Sequence, residues 1–292
     1  MKHGSHDLWD KRFAERSPLF APLTPVAANF AACASWPTRD ALNLLLIAQS
    51  IVSGNGRLLR LVSPNLVSPP LVSSHRETPP QPLTGPHALG YESRCFESGE
   101  LASREANWHD FLNALAWLTF PAAKAALNWR HCTASPNLLA GPGRGAERDA
   151  ATLFDESGII VAASESCLLD LLRRFRWKEL FWQRRDAVRA SMRFYLFGHG
   201  LYEQALQPFV GMTGKAMLID VVADFLDEPL ARQLGWLDHE VATIIAHPDR
   251  LRQPRELSPL PVLGIPGVSL ENTVESFYDN AAYFRPGRRR PA

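Results

Sequence analysis

An α+β fold, predominantly helical with short antiparallel hairpins and organised as a single large domain, is what this chain predicts. Long segments with apolar residues at helical spacing alternate with short paired runs of strand character, a pattern that favours α+β over a doubly wound parallel sheet. No internal repeat is visible. The 292 residues, 46% hydrophobic and 21% charged, suffice for one sizeable core and are too apolar for a disordered chain.

Taken in order, residues 1–62 read as an N-terminal helical part. Its clearest element is the apolar helix opening at Thr38-Arg-Asp-Ala, with Thr38 or Asp40 as the cap. Residues 63–86 form a Ser/Pro-rich connection, because proline has no amide to donate to helix or sheet. The main α+β body spans 87–247. Within it, Tyr91–Glu105 reads as a hairpin turning at Ser98-Gly99, and a helix runs from Trp108 to Phe120. Pro121 opens the next helix, and the Gly/Pro/Ser-rich stretch 133–147 reads as a loop. A second hairpin is expected over Thr152–Val161. Cys167–Phe175 and Lys178–Gln207 read as helices, the latter with a break at Gly198 or Gly200. Lys215–Val222 is a strand, Phe225–Ala246 is helical, and residues 248–292, with seven prolines, form an irregular arm ending in Arg288-Arg-Arg.

A net charge of +1 gives no global attraction to nucleic acid or membrane. Cys33, Cys95, Cys132 and Cys167 form no Cys-x-x-Cys pair, which argues against a disulfide framework or thiolate zinc site and fits a reducing, cytoplasmic setting. The polar start has no signal-peptide character. The most apolar run, Ala41–Val52, is too short to cross a bilayer.

The densest chemistry lies at Arg104-Glu-Ala-Asn-Trp-His-Asp-Phe-Leu-Asn113. Asn107 is placed to cap the helix and Asp110 to close a capping-box-like pair, while Trp108, Phe111, Leu112, Leu115 and Leu118 supply the buried stripe. Capping leaves His109 and Asn113 unexplained. The positive helix start should disfavour imidazolium and leave a neutral His109 as base or metal ligand. A hairpin followed by such a helix resembles the ββα metal-nuclease arrangement, although that motif carries its base histidine on the hairpin and none is present here.

Asp149, Asp155 and Glu156 offer oxygen ligands for a hard cation, or merely favour a turn before Gly158. His199 and Glu203, four residues apart, share a helix face and suit one metal or a hydrogen-bonded pair. Between Arg173 and Arg193 there are eight basic residues against Glu179 and Asp186, with Arg185, Arg189 and Arg193 in a stripe beside Trp177, Phe181 and Trp182. That pattern suits a phosphate-binding surface or a solvated helix face. Gly211-Met-Thr-Gly-Lys215 lacks the upstream glycine and the following Ser or Thr of a phosphate loop. His239-Glu240 lacks the second histidine of a zinc-protease helix, and no Gly-x-Ser-x-Gly occurs.

Several stretches together resemble a bacterial family known as domain of unknown function 3025. They are Tyr91-Glu-Ser-Arg, Asn107-Trp-His-Asp-Phe-Leu-Asn-Ala-Leu-Ala-Trp117, Phe120-Pro-Ala-Ala-Lys124, Thr152-Leu-Phe-Asp-Glu-Ser-Gly158, Phe175-Arg-Trp-Lys-Glu-Leu-Phe181, Phe197-Gly-His199, Leu260-Pro-Val-Leu-Gly-Ile-Pro266 and Phe284-Arg-Pro286. The resemblance implies one family-wide domain and no established activity, so it assigns no catalytic residue.

From the residues themselves, the expected site is a polar pocket. His109, Asp110 and Asn113 are its catalytic candidates, Arg104, Asn107, Arg185 and Arg189 its substrate-binding candidates, and Asp149, Asp155 and His199 its ligands for a divalent metal. The expected activity is metal-assisted hydrolysis of a phosphate ester or nucleic acid. The rival reading is a non-catalytic scaffold whose arginine-rich helix docks an anionic partner.

Overall fold

The computed structural model describes residues 8–64, 90–133 and 143–287. Its core is a four-stranded sheet in the order β4-β3-β5-β6, with β3 Gly158–Ala163, β4 Met192–Leu196, β5 Thr213–Asp220 and β6 Ser258–Pro261. β3 pairs parallel with β5, and the outer pairings β3–β4 and β5–β6 are antiparallel. Every residue of β3 is buried, as expected of a strand covered on both faces. Ile159, Val161 and Ala163 face one apolar cluster, and Ile160 and Ala162 face a second.

The helices distribute over those two faces. On the first lie α1 Thr24–Ala27, α2 Arg39–Ala48, α4 Trp108–Thr119 and α7 Ser166–Arg173, together with the C-terminal arm. On the second lie α5 Pro121–Thr133, α6 Gly143–Ser157 and α10 Leu230–Ala246. A separate parallel pair joins β1 Arg60–Val62 to β2 Glu100–Ala102, with α3 Tyr91–Ser98 leading into β2. Two short helices bracket β4, α8 Arg185–Ser191 before it and α9 His199–Ala205 after it. The α+β, mostly helical class therefore stands. No described helix is long and apolar enough to cross a membrane.

The local readings that hold have visible causes. The Thr38 hydroxyl accepts from the Ala41 amide, the Asn107 side chain accepts from the Asp110 amide at 3.1 Å, and Pro121 begins α5. Others need correction. Tyr91–Ser98 is a helix, and Gly99, at φ 73°, is its left-handed cap instead of a hairpin turn. Residues 152–157 finish α6, so the strand starting at Gly158 belongs to no hairpin. Without either hairpin, the likeness to the ββα nuclease motif lapses. Lys178–Gln207 is broken by β4, because Tyr195 and Met192 turn to opposite faces of the sheet. The C-terminal arm is not wholly irregular. It contributes β6, whose residues Ser258 and Leu260 pair with β5 while Pro259 and Pro261 face outward, where a missing amide costs no ladder bond. Residues 65–86 of the Ser/Pro-rich connection, 134–142 of the expected loop and the tail Arg288–Arg290 lie outside the described residues, whereas 143–147 are helical.

Candidate metal centre

Three chain segments meet at the C-terminal end of β4. Trp108 is drawn into an aromatic cluster with Trp9, Phe13, Trp36 and Phe111, which turns its neighbour His109 outward from the first turn of α4. The amides of Phe197 and Gly198 both donate to the Gly158 carbonyl, so the end of α6 and the start of α9 are locked side by side. His199, the first residue of α9, then points at His109, and the two Nε2 atoms lie 3.1 Å apart.

The outer nitrogens of both rings are engaged. His199 Nδ1 lies 3.0 Å from the Asp155 carbonyl, one of the C-terminal carbonyls that α6 leaves without an intrahelical partner. A carbonyl only accepts, so Nδ1 of His199 carries the proton and its Nε2 presents a lone pair. His109 Nδ1 lies 2.8 Å from Glu203 Oε2, which holds a proton on that nitrogen in turn. Neutral forms of both rings would therefore aim two lone pairs at each other. A positive charge between them, a proton or a metal ion, resolves the conflict.

Glu156 completes the group. Its Oε1 is 3.5 Å from His199 Nε2, and ligand atoms of His109, Glu156 and His199 all lie within 4.8 Å of one another. Ligands about 2.0–2.1 Å from a tetrahedral ion sit about 3.3 Å apart, close to the 3.1 Å between the two Nε2 atoms and the 3.5 Å from His199 to Glu156, while His109 and Glu156 stand further apart, within 4.8 Å. The glycines flanking His199 make this approach geometrically feasible. A Cβ on Gly200 would come 2.5 Å from Glu156 Oε2, and one on Gly198 would come 2.4 Å from the Gly158 amide. The Phe-Gly-His-Gly run thus holds two backbones and a carboxylate at contact distance.

Burial divides the two histidines. His199 is buried, and desolvation pushes its pKa down to about 4, so it is neutral. His109 is half-buried, and its hydrogen bond to Glu203 raises its pKa against the opposing effect of burial. The direction is opposite to the one expected from the helix dipole. Burial raises the pKa of Glu156.

Behind the centre runs a buried polar chain. Lys124, only 3% exposed, donates to Asp155 Oδ1 at 2.5 Å and to Asn113 Oδ1 at 2.9 Å. Asn113 donates onward to the Tyr91 hydroxyl at 2.8 Å, a group tucked inward although the Tyr91 ring reaches the surface. Burial alone would raise the Asp155 pKa, but the Lys124 ammonium beside it wins and holds it below the usual carboxylate value. Asp155 Oδ2 is 3.6 Å from His199 Nδ1, so its side chain backs the same ring that its carbonyl orients.

Other expected site residues fall elsewhere. Asp149 is exposed on α6 and outside the triad. Six residues from Asp155, it projects from a different face of the helix. Asp110 gives both carboxylate oxygens to Arg104, at 2.7 to 2.9 Å, and Asn107 acts as the cap. Arg185 reaches the Asn272 carbonyl at 2.8 Å and Asn272 Oδ1 at 3.0 Å, which fastens the C-terminal arm. Arg189 is exposed beside Asp186. Both arginines precede β4 while His199 follows it, and five residues of strand separate the two ends by roughly 17 Å. The arginine stripe does not reach the histidines. Lys124 and Tyr91 carry no site signal in the sequence, because a lone lysine in an apolar helix and a tyrosine at the start of an element have no chemical signature until their partners are known.

No curated protein and no solved structure matches the chain. The family model described as "Protein of unknown function (DUF3025)" matches residues 81–288, a span that contains every residue of the histidine centre, and the chain belongs to that family.

Proposed function

We propose that the chain binds one divalent cation, with zinc the best match, through Nε2 of His109, Nε2 of His199 and the Glu156 carboxylate, and uses it to activate water for hydrolysis. The observation that carries this reading is the pair of Nε2 atoms held 3.1 Å apart with both Nδ1 positions already engaged. Two imidazoles and a carboxylate are a borderline-soft donor set suited to zinc, and three protein ligands leave a fourth position for water. Glu203 on His109 and the Asp155 carbonyl on His199 act as the outer partners that fix tautomer and ring orientation in metal sites.

The chemistry follows from that open position. An ion held by His109, His199 and Glu156 would act as a Lewis acid and would supply a water activated near neutral pH. Glu203 accepts from His109 Nδ1 at 2.8 Å and is partly exposed, so it lies at the rim of the group and orients that ring. Arg104 is committed to Asp110, and Arg185 and Arg189 lie at the other end of β4. Asp155 is countered by Lys124, and Glu156 and Glu203 offset the charge of the ion, so the centre holds no surplus positive charge for an anionic substrate. This favours an uncharged ester or amide over a phosphate ester or nucleic acid as the bond cleaved.

Equilibrium dialysis of the purified chain against zinc, followed by hydrolysis assays on nitrophenyl acetate and nitrophenyl phosphate, tests both parts. One bound ion per chain and zinc-dependent cleavage of the acetate, both lost in His199→Ala, is the expected result. Binding without cleavage of either ester leaves a metal site and removes the hydrolase. No bound metal removes both.

A further inference from the structure

The second place on the molecule built for a ligand is the open part of the sheet edge on β5. We propose that it binds an extended acidic peptide segment, which adds as a strand beside β5. The register gives the first argument. The Val221 amide donates to the Ala163 carbonyl, so odd-numbered residues of β5 direct their backbone groups toward β3 and even-numbered ones toward β6. Thr213–Ala216 are matched by Ser258–Pro261, and there the ladder ends. The amide and carbonyl of Leu218 and of Asp220 therefore face the side that β6 has left, and no backbone group pairs with them among the described residues.

That edge lies in a cleft, and the cleft is charged. Met217 and Leu218 form part of a cavity of about 390 Å³ lined also by Phe175, Ile244, Arg173, Arg250 and Arg255. The size is that of a ligand-binding cleft, and polar backbone in a partly apolar cleft calls for a hydrogen-bonding partner. Arg250 and Arg255 make no side-chain hydrogen bond or ion pair among the described residues, while Arg173 pairs with Asp170. The one carboxylate in the lining, Glu256, accepts from the Arg252 amide. The charge left over is positive, and an acidic segment complements it.

Backbone strain and edge protection point the same way. Phe175 and Leu251, two of the four non-glycine residues with positive φ among the described residues, both line this cleft, and strained backbone gathers at binding sites. The outward edge of β6 is blunted by Pro259 and Pro261, whereas β5 has no proline between Met217 and Asp220. The fold closes one edge to strand addition and leaves the adjoining one open. Main-chain bonds to Leu218 would supply affinity, and acidic side chains reaching Arg250 and Arg255 would supply selectivity.

The test is fluorescence anisotropy with the full chain and a labelled hexapeptide of alternating valine and glutamate. The acidic peptide should bind, its valine/lysine counterpart should not, and Arg250→Ala with Arg255→Ala should weaken binding by about tenfold or more. Both arginines are exposed, so thermal melting of the variant should match the parent. A version of the acidic peptide N-methylated at every backbone amide keeps the charge and loses the ladder, so it too should bind about tenfold more weakly. Absence of binding by the acidic peptide overturns the proposal, as does equal binding of the N-methylated peptide or of the arginine variant. Full displacement by free succinate at the same concentration would mark a small-anion pocket and overturn it as well.

Discussion

Replacing Lys124 by methionine should expose how much of the fold depends on the buried chain behind the histidines. Lys124 is 3% exposed and its ammonium donates to Asp155 and Asn113, so the variant leaves a nearly buried carboxylate without its countercharge. Methionine keeps most of the aliphatic stem and its packing near Trp117, so the loss is electrostatic more than volumetric. Removing one partner of a buried ion pair costs about 3–5 kcal/mol. The lower end is expected here, because the Asp155 side chain is 15% exposed and His199 stands beside it, which gives a loss of about 3 kcal/mol near neutral pH. The sign with pH is also set. In the parent chain the Asp155 pKa is depressed, so the pair's stabilisation is present above the unfolded value, about pH 3.9, and is lost as pH falls through the folded value. In the variant, burial without Lys124 raises the Asp155 pKa, so acid neutralises the group and the deficit shrinks. Urea denaturation of both chains at about pH 7 and about pH 5 measures this. Lys124→Met combined with Asp155→Asn should recover much of the loss, as coupled neighbours do. A deficit below about 1 kcal/mol, or one that does not change with pH, would refute the reasoning.

Four other substitutions separate the parts of the account. Gly200→Ala should fold but bind metal at least about tenfold more weakly, because its Cβ meets the movable end of Glu156 at 2.5 Å and the Glu156 carbonyl oxygen only at 3.1 Å, whereas Gly198→Ala presses on backbone at 2.4 Å and should fail to fold or lose several kcal/mol, as thermal melts with and without zinc will tell. Arg185→Ala should cost about 2 kcal/mol and expose the C-terminal arm to limited proteolysis without changing metal affinity, since its guanidinium bonds Asn272 and lies away from the histidines. Glu203→Gln should lower the His109 pKa, read by NMR titration. The raised folded value means that His109 contributes stability below about pH 6.5 and that this contribution fades as pH rises through that folded value, a slope the variant should flatten.

What the sequence shows of this molecule is mostly what short-range chemistry controls. The cap at Asn107, the proline start of α5, the apolar stripe of α4 and the strand after Gly211 all depend on neighbours within a few residues. α3 escapes because Cys95 is its one buried residue, so it carries no apolar stripe, and its glycine cap has the composition of a turn. β4 escapes because Met192–Leu196 continues directly from a helix and brings no turn residue between them. His109, His199 and Asp155 stand out in sequence as polar groups in apolar surroundings, and the structure brings those three together. The pairing of His109 with Glu203 spans 94 residues and has no local signal. Glu156 is recognisable beside Asp155, but its place in the triad depends on the space left by Gly200. The arginine stripe shows the reverse, since Arg185, regularly spaced with Arg189 and Arg193, is tied to Asn272, 87 residues away, a partner that local spacing does not reveal.

The most direct test of the centre is a long-range proton–nitrogen spectrum of the histidine side chains, recorded as zinc is added to one equivalent. His109 and His199 should both move their Nε2 resonances to metal-bound positions while their Nδ1 atoms stay protonated, held by Glu203 and the Asp155 carbonyl. Unchanged Nε2 resonances, or zinc appearing on one ring alone or on Nδ1, would contradict a shared ion between the two imidazoles.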